Sequence, residues 1–171
     1  DGILVLGATN VPWELDPAMR RRFEKRIYIS LPETKARAYM MKLHLGNTPN
    51  QLQPSNFDQL SVQTEGYSGS DLSVVVREAL MEPLRRCQIA RYFHKVKDAS
   101  SEVGYFYMPC DERTPGAEKK TLMEIESQEL KCPDVTLVDF LTIINRGGGA
   151  TVSPGELVRF EKWTEQFGQE G

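Results

Sequence analysis

Four apolar residues flanked by glycines, Gly2-Ile3-Leu4-Val5-Leu6-Gly7, stand at the start of this 171-residue chain. A run that is apolar at every position lacks the in-and-out alternation of a strand with one wet face, so it reads as a parallel strand covered on both sides. Such a strand needs neighbours, and the next hundred residues do not supply a βαβ series. The chain does not open on Met, and neither a basic leader nor a transit-type composition is present. The alternative is a short independent strand at an ordinary terminus. Because an unpaired strand edge of this kind is an aggregation hazard, the expectation is a piece of a longer protein.

Composition narrows the classes further. Hydrophobic residues make up 40% and charged residues 26%, the balance of a soluble globular chain. No uncharged apolar run approaches the about 20 residues that span a bilayer. A net charge of -3 provides no general basic field for nucleic acid. Cys87, Cys110 and Cys132 are odd in number and widely spaced, which argues against a disulfide framework or a CxxC metal site and for a reducing compartment.

Along the chain, Asp16-Pro17 pairs an N-cap with Pro at the first helical position, opening a short helix over 18–23. Residues 26–31 alternate Ile27, Ile29 and Leu31 with Tyr28 and Ser30, a second strand stopped by Pro32. From Glu33 the period becomes helical, with Ala36, Met40, Leu43 and His44 on one face up to Gly46. A loop over 47–55 precedes a short helix over 56–64. Ser70 is then the expected N-cap of a long helix to about Arg91, its stripe Leu72, Val75, Val76, Ala79 and Leu80 interrupted at Pro83. Tyr105 to Met108 reads as an aromatic strand and Thr121 to Ile125 as its return. Residues 136–145 form an amphipathic helix, Gly147-Gly148-Gly149 a break, and Ser153-Pro154-Gly155-Glu156 a capping box opening the last helix. Its bulky face is Leu157, Phe160, Trp163 and Phe167.

Three constellations carry chemistry. Thr9-Asn10 follows the first apolar run, where ligands sit beyond the carboxyl ends of parallel strands. Asn10 there either orients a water or phosphate, or closes an Asx-turn. Arg20-Arg21-Arg22-Phe23-Glu24-Lys25-Arg26 places five cations in seven positions, an anion-binding surface or a solvated charged face. Gly66-Tyr67-Ser68-Gly69-Ser70-Asp71 lets backbone approach a ligand at a helix N-terminus, or is a simple cap. A P-loop pattern GxxxxGK[ST] is absent from the sequence. His44, at the end of an apolar face, reads by itself as a core histidine.

Taken in order, Gly7-Ala8-Thr9-Asn10, Leu15-Asp16-Pro17-Ala18, Arg21-Arg22-Phe23-Glu24 and Gly66-Tyr67-Ser68-Gly69-Ser70-Asp71-Leu72 resemble the AAA family of ATPases. The likeness is stronger to the branch that disassembles ESCRT-III polymers. Ala8 to Trp13, Arg20 to Pro32, the strand insertion and the pattern from Gln166 to Gly171 carry it.

The resemblance implies an α/β fragment, the C-terminal strands of a P-loop AAA core over 1–31, followed by a mainly helical lid over 32–98. A small β insertion over 99–133, a returning lid helix over 134–150 and a C-terminal helix over 151–171 complete it, with Trp163 and Phe167 buried. Asn10 becomes the sensor that reads the γ-phosphate. Arg21 and Arg22 become the fingers acting on a neighbouring subunit's nucleotide, Arg21 being preferred because Lys25 occupies a common second-finger position. Met40, His44, Gly69 and Ser70 fall beside adenine and ribose, although the family often has Ala in place of Ser70.

The implied cofactor is ATP with Mg2+, whose P-loop and metal ligands, with the pore loops and an N-terminal trafficking domain, would precede Asp1. Alone, the chain is expected to be inactive. The implied partners are ESCRT-III subunits as substrate, an activating vesicle-trafficking cofactor on the β insertion, and further copies in a ring. No nucleic acid is expected, and the location is cytoplasmic with recruitment to endosomal membranes. A microtubule-severing relative and a non-catalytic interaction module are the alternatives; severing relatives generally lack the strand insertion.

Overall fold

Leu72, Val75, Val76 and Ala79 recur at helical spacing, and in the computed structural model of the chain they are 1% exposed or less. The structure describes residues 2–147 and 150–168. Gly148 and Gly149 of the expected glycine break, and residues 169–171 of the expected terminal pattern, lie outside the described residues. The chain divides into two units, Leu31–Thr151 and the pair of segments Asp1–Ser30 and Val152–Gly171.

The first segment of the smaller unit contains α1 (Pro17–Arg22), opened by the Asp16 carboxylate, which accepts from Ala18 N at 2.6 Å. Its second segment is α6 (Pro154–Phe167), where Ser153 and Glu156 form the expected capping box. Rings hold this unit together. Phe160 meets Trp13 at 5.0 Å and stacks on Tyr28 at 6.0 Å between centroids. Trp163 meets Phe167 at 5.6 Å, but Trp163 is only half-buried and Phe167 is exposed, unlike the buried pair expected.

The expected strands at 3–6 and 26–31 have no ladder pairing among the described residues. Ile3, Leu4 and Leu6 are 88–92% exposed. The physical reason is that a parallel strand exists only through hydrogen bonds to its neighbours, and no described segment lies alongside these two as a strand.

The larger unit packs α2 (Thr34–Leu45), α3 (Pro54–Gln63), α4 (Gly69–Ile89) and α5 (Leu137–Asn145) around one core. Met41, Leu45, Phe57, Leu60, Phe140 and Ile143 join the α4 stripe there. The buried face of α2 is Arg37, Met41 and Leu45, turned from the expected face so that Ala36, Leu43 and His44 are exposed. Arg37 explains the rotation. Its Nε and Nη2 donate to Ser61 O at 3.1 and 2.9 Å, and Nη1 donates to Pro32 O at 2.8 Å. One buried guanidinium thus satisfies a carbonyl near the end of α3 and another before α2.

Helix α4 runs through Pro83 to Ile89, although an interior proline removes a hydrogen bond and costs about 3 kcal/mol. Tertiary packing offsets that cost: Pro83 is buried, and the adjacent Glu82 accepts from Arg85 at 2.6 Å and from Arg146 beyond α5 at 2.8 Å. Arg86 on α4 also pairs with the buried Asp139 on α5.

After α4 a three-stranded antiparallel sheet has the order β2-β1-β3, with β1 Tyr92–Lys97, β2 Tyr105–Pro109 and β3 Glu118–Lys119. Lys95 faces Tyr107 across β1 and β2, and Phe93 faces Glu118 across β1 and β3. Phe93, Tyr107 and Ile125 form a second small core beneath it. Strand β1 begins upstream of the expected insertion, because Tyr92, Phe93 and Val96 sit among basic residues that mask their alternation. The expected return strand at Thr121 to Ile125 is instead a turn of 3-10 helix at Leu122–Glu124, closed by a Thr121–Glu124 capping box. The pairing role passes to Glu118 and Lys119.

Candidate functional site

The larger unit brings together two of the four residues expected beside a nucleotide base. Gly69 opens α4, and a Cβ built on it would lie 2.7 Å from Met40 Cε on α2. Met40 is half-buried. His44 stands one turn further along α2 and is exposed, as is Ser70 beside Gly69. The Met40 thioether thus covers the Gly69 backbone, with the His44 imidazole one turn away on α2.

The start of α4 is built differently from the expectation. Its N-cap is Ser68, not Ser70: Ser68 Oγ accepts from Asp71 N at 3.2 Å, and Asp71 Oδ2 accepts from Ser68 N at 2.8 Å. Asp71 Oδ1 also accepts from Thr151 Oγ1 at 2.8 Å. Burial pushes the Asp71 carboxyl up, but the hydrogen bonds from Ser68 and Thr151 outweigh it and hold the group below its ordinary range. Burial, and then the Asp71 charge, push the neighbouring Tyr67 hydroxyl up. A fixed carboxylate in the first turn opposes an anion there.

The smaller unit carries the other three expected residues. Asn10 is exposed, and the turn beside it is closed by Thr9, whose Oγ1 accepts from Val11 N at 3.1 Å. The Asn10 amide is therefore not consumed by the Asx-turn considered above. The basic cluster separates into two kinds of arginine. Arg20 lies over the Phe167 ring at 4.6 Å, and Arg26 Nη1 donates to Arg20 O at 3.3 Å. Arg21 and Arg22 are exposed; Arg21 Nε donates to Pro17 O at 3.3 Å, and neither has an ion-pair partner among the described residues. Exposure is what separates the four: Arg21 and Arg22 stand in solvent, whereas Arg20 and Arg26 are half-buried and each keeps a buried Nε without a partner among the described residues.

Sequence reasoning missed Arg37 and the Trp13–Phe160–Tyr28 ring group. A cation on an otherwise apolar face was the available signal for Arg37. The rings come from segments more than a hundred residues apart, which no local pattern connects.

For the reacting end of a nucleotide the described residues offer less. Among them no group of three His, Cys, Asp or Glu side chains is placed to hold a metal ion. No described helix is long and apolar enough to cross a membrane.

Residues 55–97 match the AAA+ lid domain, and residues 107–168 match the Vps4 C terminal oligomerisation domain. Vacuolar protein sorting-associated protein 4B of Mus musculus is 48% identical over 100% of this chain, which spans 39% of that relative's length. A crystal structure of Vps4 and Vta1 contains a chain 34% identical, aligned over 69% of this chain and 100% of that one with a TM-score of 0.55. The FIGL-1 AAA domain in complex with ADP is 30% identical over 98% of this chain and 46% of that one, with a TM-score of 0.67.

Proposed function

Since the chain belongs to the Vps4 family of AAA ATPases and corresponds to its C-terminal part, we propose that it completes the catalytic sites of an ATP-driven ring that disassembles ESCRT-III polymers at endosomal membranes. The observation that carries this reading is the exposure of the Arg21 and Arg22 side chains in a cluster whose Arg20 and Arg26 are half-buried. Arg21, with Arg22, projects toward the nucleotide of an adjacent subunit and stabilises charge on the transferring phosphoryl group. Such fingers contribute about 10³–10⁵ in rate in other phosphoryl-transfer enzymes. Asn10 orients the attacking water in its own subunit.

Met40, His44, Gly69 and Ser70 hold adenine and ribose in this reading; that the similar FIGL-1 AAA domain has been crystallised in complex with ADP supports nucleotide binding by this kind of domain. ATP with Mg2+ supplies the phosphoryl group when bound, through a P-loop outside this sequence, so the chain by itself does not hydrolyse ATP. The sheet β2-β1-β3 receives an activating vesicle-trafficking cofactor, a reading supported by the structure of Vps4 and Vta1. Self-association into a ring is supported by the oligomerisation-domain match. A microtubule-severing role has less support, because that match spans β2 through α6.

Mixing subunits tests the proposal. Arg21→Ala and Asn10→Ala subunits of the ATP-hydrolysing protein are each expected to be inactive alone. Mixed, they recover part of the turnover, because some interfaces combine an intact finger with an intact sensor. Near wild-type turnover by Arg21→Ala alone, or no recovery on mixing, rejects the trans-finger role. A non-catalytic interaction module would bind its partner with no ATP-dependent change in oligomer size.

A further inference from the structure

Two of the three cysteines meet. Cys87 Sγ on α4 lies 3.7 Å from Cys132 Sγ, between the β sheet and α5. We propose that these two residues form a reversible disulfide that clips the return of the β insertion to the end of α4, with a hydroperoxide as oxidant.

The pair is held ready on both sides. Lys131, next to Cys132, donates its backbone N–H to Tyr107 O at 3.0 Å and pairs its Nζ with Asp98 at 2.7 Å. Three residues after Cys132, Val135 accepts from Gln51 N at 2.8 Å and donates to Pro49 O at 3.2 Å. The segment is thereby anchored to the sheet on one side and to the loop between α2 and α3 on the other. The two sulfur atoms are already in van der Waals contact and must close to the about 2.0 Å of a disulfide. Cys110 follows β2, where its backbone N–H donates to Tyr92 O at 3.0 Å, and it has no described sulfur contact.

Exposure sets the order of events. Cys132 is exposed and Cys87 is 0% exposed, so the oxidant meets Cys132 first. Burial, and then the contact with Cys132, push the Cys87 thiol up to about 12, which keeps it protonated until it is used. The Cys132 thiolate attacks the terminal hydroxyl oxygen of the peroxide, the O–O bond breaks, and the other oxygen takes a proton from solvent and leaves as water (from hydrogen peroxide) or an alcohol, giving a sulfenic acid. Cys87 sulfur then attacks Cys132 sulfur and gives up its proton. The displaced hydroxide takes that proton and leaves as water. Two thiols lose two electrons and the hydroperoxide is reduced, so the step balances without another reagent.

The closed loop joins positions 45 apart and contains the whole β sheet. Oxidation therefore restrains how the insertion is rooted on the lid, and a thiol reductant releases it.

Treating the full chain with hydrogen peroxide, blocking remaining thiols with N-ethylmaleimide and digesting with trypsin without reduction tests the proposal. The expected product is peptide 87–91 joined to peptide 132–146, with two of the three thiols protected and both recovered after dithiothreitol. Cys132→Ser is expected to abolish the link and Cys110→Ser to leave it intact. In Cys87→Ala, dimedone labelling of Cys132 is expected to rise several-fold, because the sulfenic acid is no longer resolved. A linkage through Cys110, Cys132 carried to sulfinic acid beside a free Cys87 thiol, or equal dimedone labelling with and without Cys87 would overturn it.

Discussion

Met40 closes over Gly69 so tightly that the first carbon of any side chain at that position would stand 2.7 Å from the Met40 methyl. The obstacle is the far end of a flexible side chain, so a larger residue displaces Met40 instead of breaking the helix. Gly69→Ala is therefore expected to change stability by no more than about 1 kcal/mol, because Ala also favours the helical backbone. On the base-site assignment proposed above, the same change should weaken ADP binding to the full-length protein several-fold by displacing the Met40 thioether. Titration with ADP beside a urea melt separates the two effects; unchanged affinity would remove Met40 and Gly69 from the base site.

Arg21 and Arg22 point to a second separation, of turnover from folding. Both are exposed, and exposed substitutions usually stay within about 0.5 kcal/mol. Arg21→Ala and Arg22→Ala should therefore melt with the unsubstituted protein while losing ATP turnover. A lowered melting temperature in step with lost turnover would indicate a structural role for the cluster.

Arg37 is expected to behave in the opposite way. Replacing it with Met removes these three hydrogen bonds and leaves Ser61 O with only the long 3.4 Å contact from the Thr64 hydroxyl, at a cost of about 2–3 kcal/mol. Arg37→Lys should recover little, since a single ammonium cannot span both carbonyls as the planar fork does. Urea midpoints for the two variants would decide the point: a Lys variant as stable as the parent contradicts the fork.

Glu82 predicts how the larger unit responds to acid. The Arg85 hydrogen bond, followed by the charge of Arg146, outweighs burial and lowers its carboxyl below the usual 4.5. A carboxyl depressed in the folded state contributes stability above its unfolded pKa and loses it as pH falls through the folded value. Stability should therefore be level in this respect above about pH 4.5 and decline below it, with Asp71 adding in the same direction. Glu82→Gln should flatten the acid limb of a stability–pH series; an unchanged slope would assign the loss to other carboxyls.

Much of the helical framework was legible locally. Pro17 after Asp16, the Ser153 box and the periodic stripe of α4 each combine a start signal with a spacing that only one conformation satisfies. Locally encoded errors were small shifts, such as Ser70 for Ser68, because neighbouring serines have the same capping chemistry and only the Asp71 bonds choose between them. The candidate residues could be named because their motifs are contiguous, but their surroundings could not. Whether an arginine of the cluster is tied or exposed depends on Phe167, far along the chain.

The sequence by itself determined where helices begin, which stripe of α4 is apolar and which residue types are available to meet a nucleotide, since these follow from spacing and side-chain chemistry between near neighbours. Only the tertiary structure decided that α2 turns Arg37 inward, that α4 passes through Pro83, that Glu118 and Lys119 form the returning strand, and that Cys87 meets Cys132. Each of these depends on the energy of contacts between residues distant in the chain, and such contacts outweigh local preference without leaving a mark in local sequence.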